Sequence, residues 1–163
     1  MFPEKLSLID YDKSWYRELI AFVDQGYKDL GYSGLELHSI DSDLDDIENK
    51  YQAPSCFKLL VDLEKEEILG TTALSVNLDK KSAELKRVFV DKNSQGQGLG
   101  RALSLWAFDY AKNQGVNIVH IWSGTLCAKA HGFYQLLGAK DMKEERFLGG
   151  VDLVYEKYFV KNL

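Results

Sequence analysis

Hydrophobic positions change period several times along the chain, and each change marks an element. Residues 5 to 9 alternate, which predicts a first strand. From Ser14 the pattern turns helical: Trp15, Leu19, Val23, Tyr27 and Leu30 recur at steps of three and four, on one face. Asp12 or Ser14 is placed to cap this helix and Gly31 to end it. Residues 32–40 read as loop. Asp41 to Ile47 predicts a short second helix whose acidic first turn suits the positive end of the dipole. Leu44, Ile47 and Tyr51 share a face there, and Pro54 stops the run.

The middle of the chain is β-like. Cys56–Leu63, Glu67–Leu78 and Ala83–Val90 are strand candidates joined by short charged turns, the pattern of an antiparallel meander. A helix from about Leu99 to Asn113 follows, with Leu99, Leu103, Trp106 and Tyr110 on one face and Gly115 as its C-cap. Val116–Trp122 is an apolar strand, so strand, helix and strand can form a parallel crossover. A further helix, about Lys129–Leu137, ends at Gly138. Two strands, about Lys140–Phe147 and Asp152–Phe159, complete the pattern. The expectation is one mixed sheet covered by helices, in a single domain over residues 1–163.

Composition narrows the function more than the fold. A chain of 163 residues, 45% hydrophobic and 28% charged, can bury a core without staples. Twenty basic residues are scattered among twenty-five acidic ones, for a net charge of -5. That balance speaks against a nucleic-acid partner and favours a cationic one. Two cysteines, Cys56 and Cys127, make neither a disulfide framework nor a metal site, and Cys56 opens an apolar run as a small hydrophobe. No signal-peptide pattern and no apolar stretch of about 20 residues is present, so the expectation is a cytoplasmic protein with no membrane partner.

The candidate chemistry begins where the strand ending at Val90 meets the helix starting at Leu99. Between them lies Gln95-Gly96-Gln97-Gly98-Leu99-Gly100-Arg101. A helix N-terminus offers unpaired N–H groups and a positive dipole end, and glycines let an anion approach them closely. No Lys-Ser/Thr pair completes a P-loop. Leu103 and Arg101 stand where a dinucleotide fingerprint needs its last glycine. Both standard nucleotide readings fail.

The spacing Gln95-x-x-Gly98-x-Gly100 resembles the Gln/Arg-x-x-Gly-x-Gly/Ala signature of the GNAT superfamily of N-acetyltransferases. Glu84-Leu85-Lys86-Arg87-Val88-Phe89-Val90 is similar to that family's fourth strand, and Ile68-Leu69-Gly70-Thr71-Thr72-Ala73-Leu74 to its third. Ala130-His131-Gly132-Phe133-Tyr134-Gln135-Leu136-Leu137-Gly138-Ala139 resembles its Ala-x-x-Phe-Tyr-x-x-Leu-Gly-Phe helix. The likeness runs in order from about Tyr51 to Ala139. It implies an α/β (mixed α+β) fold: a mainly antiparallel sheet with flanking helices, whose fourth and fifth strands run parallel and splay apart around coenzyme A. Acetyl-CoA is then the cosubstrate, with no metal. Its pyrophosphate would rest on the amides of Gln95, Gly96, Gln97, Gly98, Leu99, Gly100 and Arg101. Its pantetheine arm would pair with the backbone of Val88 and Val90, with Phe89 between them. The acceptor would be an amine of a small molecule or peptide, and homodimers are common in the superfamily. Two positions depart from the pattern: Ala139 replaces the usual Phe, and Cys127 stands where many members place Asn.

An amine with a pKa of about 10 must lose a proton before it attacks a thioester, and the departing thiolate needs one. By resemblance, Tyr134 is the candidate acid near the sulfur. Glu84 is the candidate base, directly or through a water chain, and the Val90 N–H is a candidate donor to the carbonyl. His120 reads as a packed strand residue, His131 as a cover for the cofactor, and His38 and Glu36 as candidate acceptor contacts. Lys92 and Arg101 flank the anion seat. Two other readings stay open: a non-catalytic acyl-CoA binding or sensing domain, and an interaction module whose glycine turn is structural. Retention of both Glu84 and Tyr134 favours the enzyme. No motif names the acceptor.

Overall fold

The computed structural model describes Pro3 and residues 5–163. Seven strands form one sheet: β1 (Leu6–Asp10), β2 (Cys56–Asp62), β3 (Glu67–Asn77), β4 (Ser82–Val90), β5 (Ile118–Gly124), β6 (Lys140–Gly149) and β7 (Val154–Asn162), in spatial order β1-β2-β3-β4-β5-β7-β6. All neighbours run antiparallel except β4 and β5, which are parallel. The helices are α1 (Tyr16–Leu30), α2 (Ile47–Lys50), α3 (Leu99–Asn113) and α4 (Ala128–Leu136).

Period-two alternation distributes the core. In β2, Phe57, Leu59 and Val61 pack with Leu19 and Val23 of α1, while Cys56 and Leu60 face the other side, toward α3. Burying Leu side chains of this kind stabilises by roughly 1.5–3 kcal/mol each. Helix α1 comes close to β4 because Gly26 has no side chain. A Cβ there would lie 2.7 Å from Phe89 Cδ1.

Three sequence expectations need correction. The Asp41–Ile47 helix is instead a 3-10 turn, Ser42–Leu44, followed by the four-residue α2. The segment breaks because its carboxylates are bound elsewhere: Asp41 and Asp43 pair with Arg87. Next, the fifth strand begins two residues later than expected, because Val116 closes helix α3 by bonding back to Ala111 O at 3.1 Å. Lastly, β4 is not a uniform strand. Ala73 pairs with Lys86 and Thr71 with Phe89, so Thr72 faces two residues, Arg87 and Val88. Arg87 adopts φ 56, and its carbonyl accepts a bond of 2.7 Å from Thr71 Oγ1. This bulge inverts the alternation: Ala83 and Leu85 pack toward α3, but beyond it Val88 and Val90 take that face and Phe89 turns to α1.

Candidate active site

β4 and β5 pair only from Ser82–Leu85 to Ile118–Ile121. Both strands continue, β4 to Val90 and β5 to Gly124, so they splay and leave the end of β4 without a partner on that side. A cleft of about 1180 Å³ opens between them.

One end of the cleft is the glycine turn. Asp91 starts it, accepting at 3.0 Å from both Asn93 N and Ser94 N. Gly96 and Gly98 then take φ 81 and 79, a left-handed conformation that costs a side-chain-bearing residue about 1–2 kcal/mol. A Cβ on either would meet nothing within 4 Å, so the space in front of them is open. No side chain caps α3, and its first amides have no partner within the helix. Gln95, Gly96, Gly98, Leu99, Gly100 and Arg101 all line the cleft, as do Val88, Phe89 and Val90. Gln97 does not: it lies in a separate depression of about 820 Å³ on the outer side of the turn.

Tyr134 and Glu84 both stand in the walls, on α4 and β4. Tyr134 is buried and packed beside Phe133 and Phe159. Burial first, and the neighbouring Cys127 second, push its phenol well above its ordinary pKa, so it stays protonated. Burial likewise raises the Cys127 thiol, against a weaker lowering by a hydrogen bond with Ser123. Glu84 Oε1 lies 3.7 Å from Arg146 Nη2. Arg146 also holds Glu156 Oε2 at 2.7 Å and stacks 4.3 Å from the centroid of Trp122.

The loop after α1 forms a rim over this end. Glu36 Oε1 accepts from Val151 N at 2.7 Å, and Asp152 accepts from Ser33 N and Oγ at 2.6 Å each, so the rim is tied to the β6–β7 turn. Asp41 Oδ2 accepts from Glu36 N at 2.9 Å and Asp41 Oδ1 meets Arg87 Nη1 at 2.7 Å, anchoring the same loop to the bulge. Glu36 lines the cleft. His38 does not: it is exposed and bonded to Asp45 at 3.0 Å. His131 bonds to Gly124 O at 3.0 Å and His120 to Tyr158 Oη at 2.6 Å, and neither lines the cleft. Sequence reasoning missed Tyr32, Trp122, Arg146 and Glu156, which come from four separate elements. Among the described residues, no group of three or more His, Cys, Asp or Glu could hold a metal, and no helix is long and apolar enough to cross a membrane.

The acetyltransferase (GNAT) family model matches residues 17–139. An N-acetyltransferase of Methanocaldococcus jannaschii, itself uncharacterized, is 39% identical over 66 residues, 40% of this chain and 29% of that protein. Human N-acetyltransferase 8B is 32% identical over 112 residues, 65% of this chain and 48% of its own length. The chain thus spans less than half the length of these curated relatives. Among solved structures, a GNAT acetyltransferase of Staphylococcus aureus Mu50 superposes with TM-score 0.81 at 23% identity, covering 97% of this chain and 99% of that one. A spermidine N-acetyltransferase of Vibrio cholerae, in complex with CoA and spermine, superposes with TM-score 0.70 at 16% identity, covering 98% and 96%. The first two match in sequence and the last two in fold, and with the family model over most of the chain they give one conclusion: the chain belongs to the acetyltransferase (GNAT) family.

Proposed function

We propose that the protein is an N-acetyltransferase that moves the acetyl group of acetyl-CoA to a primary amine of a small molecule or peptide. The observation that carries this reading is a single cleft with an open anion seat at one end and both Glu84 and Tyr134 in its walls.

The residues present fit the cosubstrate. Free amides at the start of α3 and the open space before Gly96 and Gly98 suit a pyrophosphate, with Arg101, Lys92 and Lys129 nearby. The β4 backbone from Val88 to Val90 has no partner from β5 and can bond an extended amide arm. Acetyl-CoA supplies an activated thioester there.

Glu84 takes the proton of the acceptor ammonium, directly or through water, so that the neutral amine attacks the thioester carbonyl. The Val90 N–H, six residues along β4 from Glu84, is too far from that base to serve the same carbonyl and belongs with the cofactor's arm. Tyr134, kept protonated by burial, gives its proton to the departing thiolate and is restored by the proton that the attacking nitrogen sheds as the amide forms. Cys127 is kept a neutral thiol by the same burial, which favours direct attack over transfer through an acetylated cysteine. Release of CoA from acetyl-CoA, measured with a panel of primary amines, tests the reading. Turnover supports it. Tight acetyl-CoA binding with no turnover across the panel would make the chain an acyl-CoA binding domain instead.

A further inference from the structure

The cleft is electrically polar along its length. Lys92 and Arg101 flank the glycine turn and Lys129 lines the cleft from α4, against one carboxylate, Asp29, 3.7 Å from Lys92. Glu84 lies six residues back along β4 from Val90, roughly 20 Å away at the usual strand rise. Arg146 joins Glu84 and Glu156, and the β6–β7 turn with the loop bonded to it adds Asp152 and Glu36, all four carboxylates lining the cleft. Asp41 and Asp43 belong to a separate balance, matched by Arg87 and Lys86. Four carboxylates against one guanidinium leave three formal negative charges. The hydrogen bonds that Glu36 and Asp152 accept come from neutral donors, Val151 N, Ser33 N and Ser33 Oγ, so they orient the charge without cancelling it.

A second, independent feature points into the same space. Tyr32 is 9% exposed, and its hydroxyl makes no hydrogen bond of ordinary geometry, although the Leu126 backbone lies near enough to act on it. The hydroxyl lies against Gly124, which has no side chain to block it, and after burial itself the Cys127 thiol acts on it most, with Glu156 and Asp152 acting more weakly. A buried phenol left without a partner beside two carboxylates is suited to a ligand N–H.

The amine that attacks must be neutral when it does so, and it then offers this acidic end no charge. We infer that the acceptor carries a second cationic group besides the amine to be acetylated, and that the rim carboxylates Glu36 and Asp152 with the Tyr32 hydroxyl receive it. The face of Trp122 already stacks on one cation, Arg146, so this wall tolerates positive charge. An acceptor bearing a carboxylate beside its amine meets net repulsion here, because Arg146 is engaged by Glu84 and Glu156. The inference rests on the acetyltransferase reading.

The test is a calorimetric titration of the CoA-loaded protein with 1,4-diaminobutane, butylamine and aspartate at low and high salt. The dication is expected to bind about tenfold or more tightly than the monocation, with a preference that shrinks as salt rises. Equal affinity for the two amines, or tighter binding of aspartate, overturns the inference. Glu36→Gln combined with Asp152→Asn keeps an acceptor oxygen at each rim bond and removes the charges, and should shrink the preference several-fold. A preference unmoved by that change also overturns it. Diamine binding in a protein that fails to bind CoA would sink the transferase reading while leaving the acidic subsite standing.

Discussion

Asp43 and Arg87, forty-four residues apart, form a buried pair in which Arg87 Nε donates to Asp43 Oδ2 at 3.1 Å and Nη2 meets Asp43 Oδ1. The Arg87 side chain is 7% exposed, and its second arm reaches Asp41 Oδ1 and Tyr27 Oη at 2.7 Å each. The pair joins the β4 bulge to the loop that rims the cleft. Removing one member of such a network leaves the others buried and uncompensated, at a cost of about 3–5 kcal/mol. Arg87→Met is therefore expected to lower the melting temperature by on the order of 10 °C. Burial, the largest single influence, would raise the Asp43 carboxyl, but the charge and hydrogen bonds of Arg87, the Lys86 charge and the Tyr51 hydrogen bond together outweigh it and hold the pKa down to about 2. A carboxyl depressed in the folded state stabilises above its unfolded pKa of about 4, by about 2 kcal/mol, and that stability is lost as pH falls toward 2. Arg87→Met should flatten this part of the stability curve. A variant that melts with the parent, with the same acid dependence, would show the network to be idle.

Tyr134→Phe removes only a hydroxyl from a packed ring. Turnover should fall on the order of a hundredfold, the usual yield of a positioned proton donor, while the dissociation constant for CoA stays nearly unchanged. Steady-state kinetics beside a CoA titration checks this, and unchanged turnover removes Tyr134 from the chemistry.

Glu84→Gln keeps the size of the side chain and removes its ability to take a proton. The kcat should drop about a hundredfold or more. The limb of the kcat/KM profile that belongs to this carboxylate should vanish, while the limb set by the acceptor amine persists. A profile of the same shape in both proteins rules Glu84 out as the base.

Much of this could be read from the sequence, for physical reasons. The long helices α1 and α3 carry clean apolar stripes, and Gly96 and Gly98 mark a turn between strand and helix that runs through positive φ. The bulge at Arg87 was not readable. A strand of alternating pattern puts Arg87 in phase with Ala83 and Leu85, and only its pairing with β3 shows the extra residue. Asp41 and Asp43 look like the start of a helix because their partner lies forty-four residues downstream of Asp43. In the rim the sequence singles out Glu36 but is silent on Tyr32, Arg146 and Asp152, because that end is assembled through contacts as distant as the 119 residues between Ser33 and Asp152.

Gly98→Ala separates backbone cost from ligand cost. At φ 79 the added methyl strains the fold by about 1 kcal/mol, yet it touches nothing within 4 Å. The methyl projects into the open space assigned to the pyrophosphate. The ligand-free protein should lose only a few degrees of melting temperature, while CoA affinity falls about tenfold or more. Equal CoA affinity in the two proteins would move the anion seat elsewhere.

The most direct measurement is thermal unfolding of the protein with and without acetyl-CoA. A ligand at a hundred times its dissociation constant adds about 2.7 kcal/mol, which raises the midpoint by several degrees in a chain of this size. A clear upward shift, absent when a simple thioester without the nucleotide replaces acetyl-CoA, is the expected result. No shift at millimolar acetyl-CoA would mean that the cleft between β4 and β5 is not a working coenzyme A site.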